Sequence, residues 1–384
     1  MAHRALGQPR QSKRGQIMRT IRRLVFAEVL RAVGFVLLGF LGLFFFFDLV
    51  EEVQSVGSRG AVRYELAHAI AYVALMVPSH LYELLPIAVL IGTIFVMARF
   101  AHSSEYTILR TSGLGPGRAL GTLLQLGLGF ALLTVLVGDY AAPLADRSAQ
   151  LLKARYQGRI TTGQTGAWLK ERQAESQFSI NVGALESDGS LRGIRVFEFS
   201  RDGFLLTLTQ AQSASLAPGL WNLAGVTRTE FAARSQDNAK VTHHLMDKFA
   251  WPNQISAEMI SAALLKPERM STLGLFEYIR HLDANQQSAQ RYEIEFWRKV
   301  FYPLSCLVMV VLALPFAYLH FRGGGISGYV FGGVMAGISF FLLNNLFGHM
   351  GQLQNWQPWL SAALPGLIYS LLSLGAFGWL VLRH

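Results

Sequence analysis

Residues 32–47 read AVGFVLLGFLGLFFFF, sixteen positions without a charge, closed by Asp48. Extended inward through Leu24–Ala27, the run reaches the roughly 20 apolar residues that a helix needs to cross a bilayer. Immediately before it, residues 1–31 carry eight Arg and Lys (Arg4, Arg10, Lys13, Arg14, Arg19, Arg22, Arg23, Arg31) against Glu28 alone. A basic block ahead of an apolar run predicts a cytoplasmic anchor under the positive-inside bias. A cleaved signal peptide fits less well, because Asp48, Glu51 and Glu52 follow the run where a small-x-small site would be needed.

Composition agrees. The chain has 384 residues, a length that alone suggests two or three domains, with 52% hydrophobic and 15% charged residues and a mean hydropathy of +0.32. Soluble domains carry about 25% charged residues, so a water-soluble enzyme is disfavoured. Disorder is excluded by the continuous apolar material. The net charge of +10 would suit nucleic acid, but +7 of it lies in the anchor, and nucleic acid is not an expected partner. Cys306 is the single cysteine, which rules out an intrachain disulfide.

Five more spans follow. Residues 66–98 are mainly apolar and uncharged except for Glu83; the run is long for one span, and Pro78 and Pro86 predict a break between an interfacial helix and a span over 84–98. The rest are 119–138, 300–319, 326–348 and 359–382. Loop charges set the orientation. Arg99, Arg110 and Arg118 face only Glu105 in 99–118, and Arg322 lies in 320–325, whereas 349–358 has no charged residue. Both termini are therefore expected in the cytoplasm. The expected fold is an α-helical polytopic membrane protein of six transmembrane helices, three plus three, around an inserted external all-β domain. Its divisions are 1–139, 140–296 and 297–384.

Within the insert, 166–253 reads as β-rich. Runs at 205–209 and 220–229 are separated by turn formers at Asp188-Gly189, Asp202-Gly203 and Pro218-Gly219, the pattern of a sandwich or jelly roll. Residues 270–282 predict an amphipathic helix capped by Ser271, with Leu273, Phe276 and Ile279/Leu282 on one face.

Chemistry of its own is scarce. The sequence has no Walker A motif, so ATP is not hydrolysed here by the P-loop route, and Gly323–Gly325 predicts a tight turn. No H-E-x-x-H, cysteine cluster or G-x-S-x-G occurs. His80 and Glu83 are two ligands where zinc needs at least three, and no metal is expected. His243 and His244 alternate across a predicted strand and read as surface residues.

The informative loop is SEYTILRTSG, residues 104–113. Ser103 or Ser104 suits an N-cap, Glu105 the positive end, Arg110 the negative end and Gly113 the C′ stop of a short helix. Tyr106, Leu109 and Arg110 fall on one side, which suits either a docking element or a helix lying on headgroups.

LFFFFDLVEE (43–52), PSHLYELLPIAVLIGTIFVMA (78–98), SEYTILRTSG and RYEIEFWRKVFYPLSCLVMVVLALP (291–315) together resemble the lipopolysaccharide-export permease family LptF/LptG, most nearly its LptG branch. The resemblance spans nearly the whole chain and is weakest over 160–260. It implies an ABC-type exporter subunit paired with an LptF-like permease, an LptB-like ATPase dimer that holds ATP and Mg, and an LptC-like single-span jelly-roll protein. No cofactor is expected in this chain. The system would extract lipopolysaccharide from the inner membrane and pass it to a periplasmic bridge. Residues 104–113 match the family's coupling helix, so Glu105, Tyr106, Leu109, Arg110 and Gly113 become candidates for ATPase coupling, and the β-domain is expected to be a periplasmic jelly roll.

Lipid A phosphates call for cations at the outer interface. Arg147, Lys153, Arg155, Arg298 and Lys299 are the candidates, with Lys153 the best match to the family's basic positions; each alone is more often a headgroup-facing snorkel. Glu51-Glu52 departs from relatives that carry lysines there. Gly328/Gly332 and Gly333/Gly337 are small-xxx-small pairs suited to a moving helix seam or to static packing. Asn344-Asn345 suits sugar contacts or inter-helix hydrogen bonds. The alternatives are the paralogous LptF role, a membrane enzyme or a β-domain sensor.

Overall fold

The computed structural model describes residues 9–57, 64–103, 115–157, 167–173, 176–186, 189–217, 219–231, 241–253, 267–318 and 326–383, with Glu105, Ile108, Thr111, Ile255, Met259 and Ile260 between them. The chain forms two compact units. One takes in the residues up to Phe46, Val77–Ala141 and Trp297 onward; the other takes in Phe47–Met76 and Ala142–Phe296.

The helical elements are α1 (Pro9–Val53), α2 (Leu66–His102), α3 (Pro116–Leu136), a π-helical turn at Val137–Ala141, α4 (Ala142–Gln157), α5 (Thr272–Ala284), α6 (Gln290–Phe301), α7 (Leu304–Ala313), α8 (Ile326–Leu353) and α9 (Pro358–Arg383). Among the described residues, five helices are long and apolar enough to cross a membrane. A sixth span arises if α6 and the Leu304–Tyr318 segment, bent by 49°, are one broken helix. The break falls at Tyr302-Pro303, where proline removes an amide and excludes the preceding turn's carbonyl.

The break expected at Pro78 and Pro86 is absent, because α2 runs unbroken through both prolines. In the turn disturbed by Pro86, the Tyr302 phenol donates to the Glu83 carbonyl at 2.6 Å. The break between α6 and α7 thus supplies a donor where the ladder of α2 is thinned, the kind of outside partner by which transmembrane helices tolerate proline.

The helical unit's core joins distant parts of the sequence. Gly127 of α3 lies against Leu307 and Val310 of α7, and Thr134 meets the Cys306 sulfur at 3.4 Å. Leu85, Val89, Leu90, Ile94, Met309 and Leu314 are buried in the same cluster.

The other unit contains six antiparallel strands: β1 (Ala167–Arg172), β2 (Ser176–Leu185), β3 (Leu191–Ser200), β4 (Leu205–Ala217), β5 (Leu220–Phe231) and β6 (Val241–Pro252). The described residues of 167–253 are all strand and turn, as the turn spacing predicts, with helices α4 and α5 on either side. The strand order follows the sequence, β1 to β6, so the described strands form a meander without the Greek-key crossing of a strict jelly roll. Gly203 and Gly219 adopt φ of +83° and +73° at their hairpins, a region open mainly to glycine. One face is dry, with Ile180, Val182, Leu191, Ile194 and Leu223 around Trp221. The Trp221 indole N–H reaches the Ile255 carbonyl at 3.1 Å, and its ring meets Trp251 edge-on.

Ser271 caps α5, its hydroxyl accepting from the Gly274 amide at 3.1 Å. The expected face is corrected: Leu275, Tyr278, Ile279 and Leu282 are buried, whereas Leu273 and Phe276 are exposed. The stripe 275/278/279/282 has the i, i+3, i+4, i+7 spacing of a helix packed on one side.

Candidate functional site: the α2–α3 segment and the helices that carry it

Beyond α2, the Ser103 hydroxyl donates back to the Arg99 carbonyl at 2.9 Å, extending the preceding helix's ladder. Glu105, Ile108 and Thr111 are helical and exposed, and the Thr111 hydroxyl donates to the Ile108 carbonyl. Ile108, 64% exposed, is an apolar side chain on the open side of this helical stretch. Glu105 makes no hydrogen bond or ion pair among the described residues. Ser104, Tyr106, Leu109, Arg110 and Gly113 lie outside the described residues. The chain re-enters the core at α3, where Pro116 occupies the first turn, a position that needs no amide donor.

The segment's root is held by α1. Ile21, Val25, Val29 and Val33 recur every four residues and are buried, in one cluster with Val96, Met97 and Phe100 of α2 and with Ala119 and Leu123 of α3. Polar contacts flank this stripe. Glu28 pairs with Arg99 at 2.6 Å and with Arg31 at 3.3 Å, and Arg22 donates to the Gln125 side chain at 3.2 Å. The sequence shows Glu28 as the only acid in a basic block; its partner 71 positions away is visible only once α1 packs on α2.

The four candidate glycines of α8 divide into two pairs. A Cβ on Gly333 would lie 2.7 Å from Ile94, and one on Gly337 would lie 3.0 Å from Ile87, so these two pack on α2. Gly328 and Gly332 have nothing within 4 Å of a built Cβ among the described residues and lie on an exposed face.

The candidate cations are mostly engaged. Arg298 donates to the Asn345 amide oxygen at 3.0 Å. Lys299 donates to the Gly138 carbonyl at 3.1 Å, with its ammonium 5.7 Å from the centre of the Tyr82 ring. Gly138 lies in the π-turn, where a widened helix frees carbonyls from their usual amides, and the ammonium fills that gap. In the other unit, Lys153 pairs with Glu52 at 2.8 Å and lies 4.7 Å from the centre of the Tyr72 ring. The Tyr64 hydroxyl donates to the second Glu52 oxygen at 3.1 Å. Burial, then the Glu52 carboxylate, raises the Tyr64 pKa and keeps that proton in place. Arg147 is exposed, with no partner among the described residues. Arg155 is helical, and its side chain lies outside the described ones. Glu52 is the Lys153 partner that sequence reasoning missed. Its signal was the acidic pair Glu51-Glu52 just beyond the first apolar run.

The remaining polar candidates take ordinary places. The His80 ring lies 5.0 Å from that of Phe44. His243 and His244 are both exposed on β6. Among the described residues, no group of three or more His, Cys, Asp or Glu side chains is placed to hold a metal ion.

Comparison with known proteins places these features. The chain is 25% identical over 373 residues to the lipopolysaccharide export system permease protein LptG of Escherichia coli K12, covering 96% of this chain and 98% of that one. It is 26% identical over 371 residues to LptG of Haemophilus influenzae, covering 96% and 99%. The family described as lipopolysaccharide export system permease LptF/LptG matches residues 23–383. Buried α2, the exposed α2–α3 segment and the inserted meander thus lie within one continuous match, and the chain belongs to the LptF/LptG permease family.

Proposed function

We propose that this chain is the LptG-type permease subunit of an ABC-type lipopolysaccharide exporter in a Gram-negative inner membrane. It extracts lipopolysaccharide and passes it to a periplasmic bridge. It pairs with an LptF-like permease and an LptC-like subunit, with both termini cytoplasmic and the β-domain periplasmic. The observation that carries this reading is the open apolar side of the helical unit. Phe35 and Leu38 of α1 are 79% and 73% exposed, and Phe331 of α8 is 66% exposed beside Gly328 and Gly332. Such a surface suits acyl chains and a second permease.

Energy arrives through contact, since no P-loop is present in the chain. An LptB-like ATPase dimer, which holds ATP and Mg, docks on 104–113, with Glu105, Tyr106, Leu109, Arg110 and Gly113 at the contact. Exposed Glu105 and Ile108 support this assignment. Nucleotide binding and substrate binding then bias each other through the helices. Of the cations, Arg147 is open to lipid A phosphate. Lys153, Arg298 and Lys299 act on substrate by exchanging their present partners, and Arg155 completes the set.

Glu105→Arg tests the coupling role by reversing charge at the docking segment. The expected result is loss of the ATPase on purification, or hydrolysis without export, with membrane insertion intact. Normal export with wild-type ATPase stoichiometry would overturn the assignment.

A further inference from the structure

Helix α1 changes character at Val33. Below it, Ile21, Val25, Val29 and Val33 are buried; from Gly34 to Phe46 no residue is, although Phe44 touches His80. The change occurs where α1 crosses α2 most closely. A Cβ on Gly92 would lie 2.7 Å from the Val33 backbone nitrogen and 2.9 Å from its Cα, so the two backbones meet there and any larger residue at 92 would drive them apart. One turn below the crossing, Glu28 grips Arg99, which lies four residues before Ser103 at the root of the exposed segment.

We infer that the Glu28–Arg99 pair makes the lower part of α1 and the root of the α2–α3 segment one rigid body, which swings the open upper part of α1 about the Val33–Gly92 crossing. The inference rests on the reading of 104–113 as the ATPase-docking segment. Three observations carry it. The pair is short and charge-assisted, the class of contact that holds geometry best. It is backed by the Ile21–Val33 stripe and the Arg22–Gln125 bond, so α1 is fixed both to α2 and to α3 on either side of the segment. From Gly34 to Phe46 α1 buries no residue and presents exposed Phe35 and Leu38, so packing along this stretch does little to oppose its movement. Glu28 and Arg99 are thus positioning residues that act through α1 without meeting substrate.

The test uses the assembled exporter with its ATPase, reconstituted in lipid. Spin labels at Leu38→Cys on α1 and Leu128→Cys on α3, both exposed positions, report the upper arm. With Glu28→Gln, ATPase stoichiometry and basal hydrolysis stay at wild-type values. Lipopolysaccharide released per ATP falls about fivefold or more, the scale of a coupling free energy, and the nucleotide-dependent change in label distance disappears. The reversed pair, E28K/R99E, restores both. Wild-type release per ATP and an unchanged distance response in Glu28→Gln would overturn the inference, as would failure of the reversed pair to restore either. Glu105→Arg in parallel separates the two readings. If it leaves docking and export normal, the docking assignment falls; if it uncouples while Glu28→Gln does not, only the lever falls.

Discussion

Two carboxylates of helix α1, Glu52 and Glu28, form ion pairs that are built for different work. Glu52 is buried and receives both the Lys153 ammonium and the Tyr64 hydroxyl, so each carboxylate oxygen has a donor. Glu28 is shared between Arg99 and Arg31, whose side chains are 40% and 77% exposed. A buried pair is costly to break because the survivor is left charged and dry; an exposed one contributes little to stability and can still fix a geometry. A glutamate therefore serves as a structural bolt in one unit, paired with lysine, and as a mechanical link in the other, paired with arginine.

The largest expected effect comes from breaking the bolt. Lys153→Met should cost about 3 kcal/mol, the low end for orphaning a buried charge because Lys153 is itself partly exposed. The melting midpoint in detergent should drop accordingly, and adding Glu52→Gln should recover most of the loss. A single variant that melts like the wild type would show that water reaches Glu52 freely. Next comes the glycine contrast. Gly333→Val must displace Ile94 and should cost about 1–3 kcal/mol by overpacking, whereas Gly328→Val should leave the isolated chain's melting unchanged and weaken association with a second permease. Equal melting losses would erase the distinction between the two faces of α8. Glu28→Gln sharpens the comparison from the other side, with about 1 kcal/mol or less in melting despite its effect on transport.

The smallest effect concerns His281, whose pKa is lowered from 6.5 by burial. The folded state resists a proton that the unfolded chain accepts, so its contribution is fully present above pH 6.5 and is lost as pH falls through the lower folded value. Hydrogen exchange in Thr272–Ala284, corrected for intrinsic rate, should quicken on acidification in the wild type and less so in His281→Gln. Equal acid responses in both would remove His281 as the cause.

The spans and the β-insert were legible because each is a local pattern. Twenty apolar residues, or strands spaced by Asp-Gly and Pro-Gly, carry their own instruction. Pro86 misled because its local penalty was met by a distant donor, Tyr302, which no window around the proline contains. The face of α5 misled for a related reason: the run offers apolar residues on two sides, and only packing selects Leu275 and Tyr278 over Leu273 and Phe276. At the candidate site, Lys153 was legible as a cation but not as the partner of Glu52, since 101 residues separate them. The glycines were legible as close-packing positions, but which pair meets α2 depends on the rotation of α8.

The meander has a consequence for how the chain is made. Each strand of the sheet pairs with its neighbour in sequence, so every pairing closes as soon as the next strand leaves the ribosome, the short-range order that favours quick folding. The helical unit enjoys no such convenience. Gly127 and Thr134 await Leu307, Val310 and Cys306, so the early spans must idle in the lipid, flanks bare, until more than 160 further residues have been translated. The sheet is thus finished first, and the helical portion, begun earlier, is the last to close.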